Sequence, residues 1–198
     1  MNRLKIDNKY LEIAAWVLSY LNVVMCIYFT VLNRSITNIV YLVVDLALLA
    51  SLVRKIPHRT WLACIYFATR LAFAINSVFI HGYLMSSAQE VINYVSVGNF
   101  SYNAFLISLG EVVQMVVLVV VLAFAVYLFI PKEKIISYRV LYITVIVWTF
   151  AFALRYVPAI VLLIGWTPAM IMNVILSALV PIPFILLSPQ INTCIKSK

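Results

Sequence analysis

The sequence predicts an all-α, polytopic membrane protein: a six-transmembrane-helix bundle with both termini on the cytoplasmic side. Three observations predict it. Of the 198 residues, 66% are hydrophobic and 10% charged, whereas a soluble domain is about half apolar and a quarter charged. Apolar stretches of about 20 residues, the length that crosses a bilayer, recur along the chain. The basic residues cluster in alternate connections, as cytoplasmic loops do.

The spans follow in order at about residues 10–32, 36–53, 60–80, 104–130, 138–164 and 167–187, in a single membrane domain covering residues 1–198. The first has no small-residue cleavage site and exceeds a signal h-region in length, so it is expected to stay as an anchor. Residues 82–103 form an outer loop, because Ser86, Ser87, Gln89, Glu90, Asn93, Asn99 and Asn103 make the stretch too polar to span. Within it, residues 86–95 suit a short helix on the membrane surface. Pro158 should bend the fifth helix and free the carbonyl of Leu154, four residues back. Pro181 and Pro183 should kink or end the sixth near Val180. There are four glycines and no G-x-x-x-G pair, so close crossings of that type are not expected and the bundle reads as rigid.

Orientation comes from the bases. Arg3, Lys5, Lys9, Arg54, Lys55, Arg59, Lys132, Lys134, Arg139, Lys196 and Lys198 all fall on one side of this topology, and Arg34 alone on the other. The net charge of +8 is therefore a topology signature that adds attraction to anionic headgroups, and it does not call for nucleic acid as a partner. Two N-x-S sequons, at Asn33 and Asn99, fall in the predicted outer connections; Asn33 is too close to the bilayer for modification.

Four charges lie inside the spans: Asp45, Arg70, Glu111 and Arg155. Each costs at least a few kcal/mol in a bilayer, so such residues mark sites or pair with one another. At about 1.5 Å per residue, all four sit about 10–14 Å below the outer ends of their helices. Polar residues join them on helical spacings: Ser19, Asn22, Cys26 and Thr30 in the first span, and Asn38 and Tyr41 with Asp45 in the second. Tyr66, Ser77 and His81 share a face with Arg70, Ser108 and Gln114 lie three residues either side of Glu111, and Asn173 stands four before Ser177. Hydrocarbon cannot satisfy these groups, so they should face inward, around a cavity approachable from outside. The candidate binding or ion-pair set is Asp45, Arg70, Glu111, Arg155, Asn22, Asn76, Gln114 and Asn173.

No catalytic or metal site is expected, and no cofactor. His58 and His81 lie on opposite sides of this topology, and the three cysteines are far apart. No P-loop, H-E-x-x-H, G-x-S-x-G or G-x-G-x-x-G pattern occurs. Two functions suit the pattern. In the first, the bundle binds or translocates a small polar or charged solute through the cavity. In the second, it is a non-catalytic subunit of a larger membrane complex, with Asp45–Arg70 and Glu111–Arg155 as interhelical salt bridges between sequential helices.

Overall fold

The computed structural model describes residues 8–53, 55–56, 59–96, 102–130, 138–161 and 166–188. These residues are helical, with no strand among them. The elements are α1 (Asn8–Leu32), α2 (Ile36–Ser51), α3 (Arg59–Ile75), a π-helical turn (Asn76–Ile80), α4 (Tyr83–Ser96), α5 (Tyr102–Phe129), α6 (Tyr138–Val161), α7 (Pro168–Leu179) and α8 (Pro181–Leu186).

Five helical stretches are long and apolar enough to cross a membrane: Lys9–Leu32, Arg59–Ile80, Ala104–Phe129, Arg139–Val161 and Pro168–Leu186. α2 is a shorter apolar helix of 16 residues, or about 24 Å of rise against about 30 Å of hydrocarbon. It is shorter than the stretch 36–53 expected from hydropathy. The Leu52 and Val53 amides turn back to Leu49 O (3.2 Å) and Ala50 O (3.0 Å), a tightening that ends the helix. Its start is set locally. The Ser35 hydroxyl accepts the Asn38 N–H at 3.2 Å, and Asn38 Nδ2 donates to Asn33 O at 2.9 Å. The turn between α1 and α2 is thereby closed by its own polar residues.

Packing arranges the helices as a ring. α1 lies against α2, α2 against α3, α3 against α5, α5 against α6, α6 against α7 and α8, and these in turn against α1. α4 stands apart from that ring and docks on α5 and the π-helical turn. The helix expected on the membrane surface thus exists, but it is pinned to the bundle. It follows Gly82, whose φ of +69° turns the chain sharply at a residue with no Cβ to clash.

The two ends of the ring differ. Opposite α4 the interior is filled: Ala15, Leu48, Phe67, Ala125, Leu128, Leu141 and Ile185 are all at most 1% exposed. Phe67 stacks on Phe129 with ring centroids 5.3 Å apart. Large apolar side chains on the outside of the ring, such as Ile13, Val43, Ile65, Val120 and Phe150, are exposed, which suits a lipid-facing surface.

Prolines act where the sequence places them. α7 ends at Leu179 and α8 begins at Pro181, so the break falls at Val180. Trp148 on α6 donates its indole N–H to Ala178 O at 2.8 Å, satisfying a carbonyl of the last turn of α7. Pro158 lies within α6, which runs through it. The carbonyl it cannot serve, Leu154 O, faces Gly110 on α5: a Cβ at Gly110 would lie 2.8 Å from that oxygen and 2.7 Å from Arg155 Cα. The scarcity of glycine therefore does not prevent a close crossing. One glycine, facing backbone rather than another glycine, is enough.

Candidate functional site

Asp45 and Arg70 meet between α2 and α3. Arg70 donates to Asp45 Oδ1 at 3.0 Å, and Asp45 is 2% exposed. The guanidinium lies over two aromatic faces, 4.3 Å from the Tyr41 ring centroid and 5.4 Å from that of Tyr66. A buried carboxylate is tolerated only with such a partner, and the tyrosine faces add cation–π attraction on the other sides of the guanidinium. Asp45 takes one of the five N–H donors that an arginine has. Nε is buried without a partner among the described residues.

Glu111 and Arg155 meet between α5 and α6, again at 3.0 Å, with each side chain about a quarter exposed. Arg155 also donates to the Gln114 amide oxygen through its other terminal nitrogen and lies 5.0 Å from the Tyr156 ring centroid. Glu111 and Gln114 are three residues apart on α5, which lets one guanidinium reach both. The crossing at Gly110 brings α6 near enough for this.

α4 ties into the same network. The Ser87 hydroxyl donates to Glu111 Oε2 at 3.1 Å, and the Ser108 hydroxyl of α5 donates to Glu90 Oε2 at 3.2 Å. Sequence reading places Ser87 and Glu90 in a polar loop and gives them no role in the site. The signal that finds them is their spacing of three on a helix, which turns both toward α5.

A cavity of about 610 Å³ lies at this end of the bundle, with Arg70, Glu90, Glu111 and Arg155 all in its wall. Tyr83, Ser86 and Glu90 of α4 are exposed and border it, so it opens there. Its deeper wall is apolar and aromatic, with Leu118, Leu122, Trp148 and Phe152. Trp148, Phe152 and Tyr156 form a ladder along α6, with centroids 5.0 and 5.6 Å apart. A second cavity, of about 510 Å³, lies among α1, α5, α6 and α7 and is bordered by Asn173 and Trp166. Glu111, Arg155 and Tyr156 belong to both walls, so this ion pair and the tyrosine beside it stand between the two spaces.

The eight residues singled out from sequence are therefore not gathered at one point. Arg70, Glu111 and Arg155 share the larger cavity, while Asp45 stands behind Arg70, outside its wall. Gln114 is 4% exposed and positions Arg155 from behind. Asn173 faces the second cavity. Asn22 is 5% exposed on α1, and neither wall includes it or Asn76. Asn76 opens the π-helical turn, and its carbonyl accepts the His81 N–H at 3.0 Å. Asn76 is six residues after Arg70, about 120° away round a helix of 3.6 residues per turn, so it does not share the face of Arg70. Among the described residues no group of three His, Cys, Asp or Glu is placed to hold a metal. No family model, curated protein or solved structure matches this chain closely enough to lend it a fold or a function.

Proposed function

We propose that this chain is a six-span membrane protein, both termini cytoplasmic, that binds or translocates a small polar or charged solute through the larger cavity. α2 makes the sixth span with its flanking residues and the local thinning that a short helix tolerates. On this reading α4 lies at the outer face and the filled end of the ring faces the cytoplasm. One observation carries the proposal: arginines from two separate helix pairs, α2–α3 and α5–α6, reach one cavity that is open beside α4 and packed shut opposite it. Ion pairs that only held neighbouring helices together would have no reason to border a common space.

The test is paired neutralisation, since removing one partner alone leaves a stranded charge. Asp45→Asn with Arg70→Gln, and Glu111→Gln with Arg155→Gln, keep shape and charge balance. Both variants should insert and fold while binding or uptake is lost. If a well-folded variant with all four replaced retains wild-type binding or uptake, the proposal fails.

The alternative, a non-catalytic subunit of a larger membrane complex, is favoured by the completeness of each pair: each guanidinium has both a carboxylate and an aromatic face. A chain that loses its fold on extraction from its partners in mild detergent would support that reading. A stable monomer that binds solute would end it.

A further inference from the structure

We infer that the larger cavity takes an organic cation, an ammonium or phosphonium group on an apolar body. This rests on the solute-binding reading above and narrows it.

The charges at the cavity do not balance. Arg70 is matched by Asp45 and Arg155 by Glu111. Glu90 is, with Glu111, one of two carboxylates in the wall, and its described partner is the uncharged Ser108 hydroxyl. Counting Asp45, which stands behind Arg70 outside the wall, three acids stand against two bases. An incoming anion would meet guanidiniums already paired and stacked, and would add to a net negative set. An incoming cation would meet Glu90 at the mouth and correct the imbalance.

The walls suit the rest of such a molecule. Both arginines already lie over tyrosine faces, and Phe73, Trp148 and Phe152 also border the space, which makes its inner wall apolar enough for the body of such a cation. The volume of about 610 Å³ is within the roughly 300–1,000 Å³ of sites that hold small organic ligands. A bare metal ion would need several converging oxygens, and no such cluster is found among the described residues.

The experiment uses two ions of nearly the same shape and opposite charge, tetraphenylphosphonium and tetraphenylborate. Equilibrium binding to the full chain in lipid nanodiscs is measured, with empty nanodiscs subtracted. Tetraphenylphosphonium should bind saturably and tetraphenylborate should not. Glu90→Gln, an exposed change on α4, should weaken the cation about fivefold with the melting temperature unchanged, and Glu90→Lys should abolish its binding. Equal or tighter binding of the borate, or an unchanged phosphonium affinity in both Glu90 variants, overturns the inference. A separate arm addresses the underlying reading. In a cysteine-free background, Ser77→Cys, in the cavity wall, should react with a water-soluble maleimide. Labelling without phosphonium binding sinks the cation inference and leaves a water-reached cavity; absence of labelling removes both.

Discussion

Gly110 is the position where one added methyl group should do the most to the site. A Cβ there would lie 2.7 Å from Arg155 Cα, 2.8 Å from Leu154 O and 2.9 Å from Arg155 N. All three are backbone atoms, so no side-chain rotation can relieve the contact. Carbon atoms settle about 3.5–4.0 Å apart, so α5 and α6 must separate by roughly 0.8 Å. Overpacking of this kind costs about 1–3 kcal/mol, and alanine returns about 0.5–1 kcal/mol of helix propensity over glycine. The net expectation for Gly110→Ala is a loss of about 1–2 kcal/mol. The damage should be local as well as global, because Glu111 is the next residue and its 3.0 Å bond to Arg155 crosses the same gap. Denaturant titration of the purified protein in mild detergent reads the stability, and solute binding reads the site. If Gly110→Ala matches or exceeds wild type in stability, α5 and α6 are not held in close contact there and the partition between the cavities is not set by this crossing.

Two further outcomes follow from the same geometry. Arg70→Gln should destabilise by about 3–5 kcal/mol, because it strands a carboxylate that is 2% exposed, and the added Asp45→Asn should recover most of that loss in the same titration; no recovery would mean that Arg70 matters through its stacking on Tyr41 and Tyr66. Trp148→Phe should cost about 1–3 kcal/mol by leaving Ala178 O without its indole donor, measured by thermal unfolding, and an unchanged melting temperature would show that water or a neighbouring amide serves that carbonyl.

Much of the framework was legible in the residues. Hydropathy placed the helices because lipid leaves little choice of what spans it, and Pro181 and Pro183 located the break at Val180 because a missing N–H acts locally. The pairing of Asp45 with Arg70 follows from adjacency in sequence, since α2 and α3 are joined by a short connection. What lay beyond reach depended on contacts between elements that sequence does not join. Polarity places Ser87 and Glu90 on a short surface helix outside the spans, and only the docking of α4 on α5 gives them partners. Stacking of Arg70 on Tyr41 depends on how α2 and α3 are rotated about their axes, which a stripe of residues specifies too coarsely. Asn22 and Asn173 join the charges through helical spacing and depth, and on a ring of helices both are shared by opposite walls.

That distinction changes what the four charges on these apolar helices imply. Counted by depth, Asp45, Arg70, Glu111 and Arg155 are a neutral set, and neutrality argues for helices holding one another. Placed in space, they are two pairs with unequal surroundings. Asp45 is buried behind its arginine, so the α2–α3 pair presents its cationic side to the cavity. Glu111 accepts from Arg155 and from Ser87 of α4 together, so the α5–α6 pair is linked to the helix at the cavity mouth. Moving α4 away from α5 would stretch the Ser87–Glu111 bond, and the same carboxylate carries the bond to Arg155. A solute that engages Glu90 on α4 would act on the same helix. On the proposed reading, binding at the mouth and the integrity of the partition would be coupled through two residues, Ser87 and Glu111, a link that a purely structural pair would not need.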